Sequence, residues 1–251
     1  MTETISNQQP VRRFDLPRVF ATLLRPRQTF QATTSEARST WLTPMLILSL
    51  TALLVVLVSG YLKTRAAMMG EIPLPPDWQY WTPEMQNNYM QAQQLTQGKV
   101  FMYVIPLVSA WSGLWIGWIV LGGLLHLGST LLGGRGSMQG ALNITGWASL
   151  PFALRDLLQI TYMLSASHAI TSPGLSGFAT SAFLMQVLAR TDIFLFWSIV
   201  LLIIGFSIAD GLPRGKAFVG VVIVVLILLA AQAGLGTLVS GLSGAVAQRP
   251  F

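Results

Sequence analysis

The sequence predicts an all-α polytopic membrane protein: a bundle of five transmembrane helices with an N-terminal amphipathic interfacial helix. Three observations point there. Of 251 residues, 53% are hydrophobic and 10% charged, where a soluble domain carries about 25% charged residues. Apolar stretches near the ~20 residues that cross a ~30 Å hydrocarbon core recur five times, at residues 41–62, 102–132, 141–164, 193–209 and 217–242. Lys and Arg also favour one set of connections. Arg12, Arg13, Arg18, Arg25, Arg27, Arg38, Arg135, Arg214 and Lys216 fall on one side of a five-span domain (residues 41–245), and Lys63, Arg65, Lys99, Arg190 and Arg249 on the other. Excess positive charge stays in the cytoplasm, so the N-terminus is expected inside and the C-terminus outside. The net charge of +6 thereby reads as membrane orientation, and no nucleic-acid partner is expected.

The elements follow in order. Residues 1–40 form a basic cytoplasmic tail without the short apolar core and cleavage site of a secretory signal. Within it Leu16, Phe20, Leu23 and Leu24 recur at helical spacing beside Arg18, Arg25 and Arg27. Asp15 suits a cap and Pro17 a first turn, and Pro26 interrupts the helix ahead of Phe30. Arg18, Phe20, Arg25, Arg27 and Phe30 are interfacial candidates on anionic lipid. The same pattern also fits a helix docked on the bundle, and both can hold. The first span, 41–62, carries no charge. The outer loop 63–99 contains EIPLPPDW, which cannot be continuous helix. Its Trp78, Tyr80 and Trp81 suit an interfacial belt or a partner-binding surface. Thr82-Pro83-Glu84 reads as a helix start.

The second span contains His126, the spacing Gly113-x-x-x-Gly117, and Trp111, Trp115 and Trp118 on one face. GGRGSMQGALNITGWASLPFALRD follows (Gly133–Asp156). Its glycines suggest a phosphate loop, but Arg135-Gly136-Ser137 lacks the lysine of that motif, and a span rather than a strand precedes it. It is read instead as a cytoplasmic turn, with Ser137 starting the next helix and Pro151 as a hinge. Asn143-Ile144-Thr145 matches a glycosylation sequon at a span edge. Arg155 lies about 21 Å along the third span at 1.5 Å per residue. Arg155, Asp156 and His126 are the intramembrane polar candidates, serving either as structural partners or as a polar path. The fourth and fifth spans repeat small residues four apart, which lets helices approach closely: Gly205 and Ala209, Ala230 and Gly234, and Gly236, Ser240 and Gly244, as Gly113 and Gly117 do in the second. These faces serve packing within the bundle or against another protein.

Chemistry is sparse. Without cysteine there is no disulfide, thiolate metal site or cysteine nucleophile. Neither H-E-x-x-H nor G-x-S-x-G occurs, and no pair of acids or Ser–His set can be placed in facing spans. The expectation is a non-enzyme with no cofactor and no metal.

Three stretches carry a family resemblance: RVFATLLRPRQTF (Arg18–Phe30), with Pro26 followed by Phe30; WLTPMLILSL at the first span; and GGRGSMQGALNITGWASLPFAL, closing on Trp147, Ala148 and Pro151. Together with five spans and a cytoplasmic tail, the layout from Arg12 to Leu242 resembles the Yip-domain family, membrane proteins named for interaction with Ypt/Rab GTPases and well represented in bacteria. The long Pro/Trp-rich outer loop departs from that pattern, and the chain reads as a bacterial-type member. The resemblance implies an accessory protein of the bacterial cytoplasmic membrane without catalytic residues. It implies an adaptor for another membrane protein, such as an ABC-type exporter or a stress-protection complex, with a homo-oligomer as a further arrangement. A small transporter or channel with a polar path at Arg155, Asp156 and His126 is the alternative class, and a membrane-shaping protein the third.

Overall fold

A computed structural model describes residues 14–36, 38–70, 74–75 and 77–247 of the chain, without side chains for residue 95 or beyond residue 239. Every regular element among them is helical. Helix α1 (Leu16–Leu24) starts where the Asp15 carboxylate accepts from the Arg18 N–H at 3.2 Å. It stops at Arg25 because Pro26 has no N–H to continue the ladder and disfavours helical geometry before it, and α2 (Pro26–Ser35) begins on that proline. Helix α3 (Leu42–Met68) is the first long apolar helix. A 3₁₀ turn at Trp78–Tyr80 precedes α4 (Pro83–Thr96), whose Thr82 cap accepts from the Met85 N–H at 3.3 Å.

A π turn at Val100–Val104 leads into α5 (Ile105–Leu131). Pro106 cannot donate one turn back, which is where such a widened turn is tolerated. Gly133 then adopts φ +94° and ends the helix. Ser137 caps α6 (Met138–Ala148), accepting from the Gly140 N–H at 3.1 Å. Helix α7 (Leu150–Ala166) follows after Ser149 alone, the break falling two residues before Pro151. Helices α8 (Ala182–Leu188) and α9 (Ile193–Ala209) meet at 61°. Asp192 caps α9 by accepting from the Leu195 N–H at 2.8 Å, and α10 (Arg214–Ala247) closes the bundle.

The α6–α7 pair lies at the centre. Helix α6 packs on α5 and α9, and α7 on α3 and α9, while α10 flanks α5, α8 and α9. Asn143 through Ala148 are buried without interruption, and Ile144 and Trp147 share one core with Leu201, Leu202 and Phe206. Small residues admit the closest crossings. A Cβ on Gly205 would overlap the Ile144 side chain, and one on Gly122 would lie 2.8 Å from Leu142.

Three helical stretches are long and apolar enough to cross a membrane: Leu42–Met68, Val100–Leu131 and Arg214–Val239. The bent α8–α9 pair is a fourth if counted as one span. Alone, the 17 residues of α9 reach only about 26 Å. The stretch 141–164, read from sequence as the third span, is not among them. It is broken at Ser149 into helices of 11 and 17 residues, about 17 and 26 Å long, and neither alone spans a ~30 Å core.

Candidate functional site

Helices α3, α5, α7, α9 and α10 line a half-open cavity of about 480 Å³. Its apolar wall includes Leu48, Leu114, Trp118, Leu202 and Leu228, and its polar wall Arg155, Asp156, Gln159, Arg190 and Gln232. Gly113 and Gly117 line it as well, and a Cβ on either would meet nothing within 4 Å. The G-x-x-x-G spacing of α5 therefore borders open volume rather than a helix crossing.

Arg155 and Asp156 form the centre of the polar wall. Successive helical residues do not ordinarily face each other, yet the long arginine reaches back, placing Nη2 3.3 Å from Asp156 Oδ1. Its Nη1 lies 3.6 Å from Asp192 Oδ2, and its guanidinium stands 4.9 Å over the Phe152 ring. Asp156 is buried, and its Oδ2 accepts from the Thr51 hydroxyl at 3.0 Å. One cation and two carboxylates thus join α7 to α3 and to the start of α9. Thr51 lies nine residues into α3, about 14 Å along its axis. Arg190 spends Nη1 on the Gln186 backbone carbonyl (2.8 Å) and on Gln186 Oε1 (3.0 Å). It has no acidic partner among the described residues.

His126 is not part of this wall. It lies on α5 toward the other end, in the field of Asp210, where its Nδ1 and Asp210 Oδ2 are both buried without a hydrogen-bond partner. Burial pushes the Asp210 carboxyl above its usual range, against the opposing pull of Ser129 and His126. The glycine turn closes over this acid. The Arg135 N–H donates to the Asp210 carbonyl at 3.2 Å, and a Cβ on Gly136 would overlap the carboxylate itself. The glycines thus make room for an acid of the same chain.

The tail is docked. Phe30 is fully buried in the core that holds Trp147 and Phe206, and α2 packs on α9 and α6. Asn143 Oδ1 accepts from the N–H groups of Thr40 (2.8 Å) and Trp41 (3.2 Å), and its Nδ2 donates to the Arg38 carbonyl at 3.1 Å. The sequon asparagine is therefore buried and committed. Trp147 Nε1 donates to Thr40 Oγ1 at 3.1 Å. Arg18 lies 5.7 Å over the Trp147 ring, pairs with Asp15 at 3.1 Å, and also pairs with Glu36. Burial pushes the Glu36 carboxyl up, but hydrogen bonds from Arg18 and Arg38 outweigh it and hold the group below its usual value. Leu16, Phe20 and Leu24 form an exposed apolar row on the outside of α1, with Arg25 and Arg27 exposed beyond it.

The remaining sequence candidates separate. Gly236 approaches Gln186 of α8, with 2.8 Å from a Cβ to its Oε1. Nothing lies within 4 Å of a Cβ on Gly234, and Ala230 is exposed. Ala209 packs against the main core. The packing of Ser240 and Gly244 lies outside what the structure describes. Trp78 and Trp81 cluster with Tyr89 at ring separations of 5.5–5.7 Å, while Tyr80 is 80% exposed. Trp115 and Trp118 pack with Trp41, whereas Trp111 is half exposed. The sequence reading missed Asp192, Arg190, Gln159 and Gln232 as site residues. Gln232 was the available signal, a polar side chain inside an otherwise apolar span.

The docked tail, the glycine turn over Asp210 and the interrupted central helix fall within one matched region: the Yip1 domain matches residues 20–235. The chain belongs to the Yip1 family. In this Yip1-family chain the match opens inside α1 and ends in α10, so it takes in both the tail dock and the cavity. The chain is also similar to an uncharacterized protein of Methanocaldococcus jannaschii, 33% identical over 67 residues, which cover 27% of this chain and 48% of that protein. The match thus spans about half of that relative's length. No solved structure matches the chain.

Proposed function

We propose that this Yip1-family membrane protein is a non-enzymatic adaptor that packs against another membrane protein through α10. One observation carries the reading. Gly205 and Gly236 are used up by contacts inside the bundle, whereas Ala230 and Gly234, one turn apart on α10, open outward between exposed Leu226 and Leu238. Small residues four apart let a partner helix approach closely in lipid, where apolar burial gives no drive. An ABC-type exporter of a bacterial cytoplasmic membrane is the partner class the family resemblance favours. In this reading five segments cross the bilayer: α3, α5, the α6–α7 pair, α9 with α8, and α10. The tail then faces the cytoplasm, in line with the basic residues it carries. Mild-detergent capture of the full chain, followed by mass spectrometry, should retain a stoichiometric membrane partner that Ala230→Leu with Gly234→Leu releases. A lone species under all native conditions would defeat the proposal.

A membrane-shaping role draws support from a separate observation, the exposed Leu16–Phe20–Leu24 row beside Arg25 and Arg27, which suits insertion at an anionic interface. Deleting residues 1–38 should then abolish liposome remodelling, and unchanged remodelling would remove this role. The polar-path alternative loses its third member, since His126 lies apart from the cavity.

A further inference from the structure

We propose that the cavity bordered by Arg155, Gly117 and Gln232 is a phospholipid site that takes one acyl chain in its apolar part and the lipid phosphate on Arg190. The cavity lining extends along α10 from Val225 to Gln232. Val225 lies eleven residues and Gln232 eighteen residues past Arg214, about 17 and 27 Å along the helix. In a ~30 Å core Gln232 therefore lies at the headgroup level of the leaflet on the α8–α9 side, and the cavity continues inward past Val225 on α10 and reaches Leu48 and Met45 on α3. Its chemistry is graded along that axis. Trp118, Leu121 and Leu202 line the deep part, and Gln159, Arg190 and Gln232 are the polar groups toward the mouth. A volume of about 480 Å³ falls within the ~300–1,000 Å³ of ligand sites and suits a single chain rather than a whole lipid.

Charge decides the headgroup. Arg155 is balanced by Asp156 and Asp192, leaving Arg190 as the cation without an acidic partner among the described residues. Only its Nη1 is engaged, by Gln186, so its remaining N–H groups are available for a phosphate, which guanidinium binds in a fork. Gln159 and Gln232 add amide donors to the same cavity wall and have no hydrogen-bond partner among the described residues. A phospholipid matches this order, with phosphate at the mouth and chain beneath. A second protein helix would match it only by carrying a carboxylate at the level of Arg190. The site is independent of the α10 adaptor face.

The test uses the full chain in detergent, with native mass spectrometry and two probes: dioleoyl phosphatidylglycerol, and dioleoylglycerol with the same chains but no phosphate. The unmodified chain should hold one phosphatidylglycerol and bind dioleoylglycerol at least tenfold more weakly. Arg190→Gln should cut phosphatidylglycerol affinity at least tenfold while leaving the thermal melt in place. Gly117→Leu, which projects into open volume, should block both probes. Equal binding of the two probes, or binding that neither substitution alters, would overturn the proposal. So would a dimer that Gly117→Leu abolishes, since a second copy would then be the occupant. Partner capture does not enter these readouts, so failure here leaves the adaptor reading standing.

Discussion

Replacing Phe30 with Ala should release the tail from the bundle without unfolding the spans. Phe30 is fully buried in the core shared with Ile144, Trp147 and Phe206, and truncating a core phenylalanine costs about 3–5 kcal/mol. Helices α1 and α2 contact the bundle mainly through α9 and α6, so the loss falls on one local docking equilibrium, and its effect is capped by the docking energy of the segment. At about 1.4 kcal/mol per tenfold, even the lower figure raises the undocked population about a hundredfold. The chain has no cysteine, so one introduced thiol reports cleanly. Thr33 is 2% exposed, and Thr33→Cys should react with a maleimide far more slowly than Gln31→Cys on the exposed side of α2. Adding Phe30→Ala should accelerate the reaction of the thiol at position 33 by one to two orders of magnitude, in detergent and in liposomes. The rate at position 31 should stay unchanged. Equal rates at the two positions in the otherwise native chain, or no acceleration by Phe30→Ala, would refute the docking argument.

Other outcomes follow from the same geometry. Ionised Glu36 is favoured in the fold by Arg18 and Arg38, so its contribution is complete above the ordinary carboxylate range and is lost as pH falls through its lowered value. Acid slows maleimide attack on any thiol by removing thiolate, so the readout is the labelling rate of Thr33→Cys divided by that of Gln31→Cys at the same pH: this ratio should rise in acid, and adding Glu36→Gln should flatten that part of the profile. Gly205→Ala should lower the melting temperature, since overpacking costs about 1–3 kcal/mol, and Ile144→Ala, destabilising by itself, should cost less in the Gly205→Ala background than in the native chain. Gly113→Ala and Gly117→Ala, facing open volume, should leave melting within error or raise it slightly, as Ala is the better helix former. Asp156→Leu removes the acceptor of Thr51 and one partner of Arg155. It should cost about 1–3 kcal/mol, read as a drop in melting temperature that Asp156→Asn shares in part.

The sequence by itself determined that the chain is apolar, helical and built for a membrane. It also placed the helix starts at Asp15, Thr82 and Ser137 and the interruptions at Pro26 and Pro151. These are local properties, since a cap needs a residue within three positions and a proline breaks the ladder wherever it stands. Tertiary structure decided what the same residue types do. Gly113 and Gly205 look alike in sequence, yet one borders a cavity and the other admits Ile144, because a glycine's neighbour across a helix interface comes from another part of the chain. Arg155 and Asp156 were visible as charges inside an apolar stretch, but Thr51 and Asp192, which complete their cluster, come from α3 and the cap of α9. The opening glycines of the third segment were legible as a turn. Their reason, the Asp210 carboxylate lying where a Cβ would be, depends on α9 ending beside α5. Periodicity cannot encode that, because it is a distance between residues some seventy positions apart.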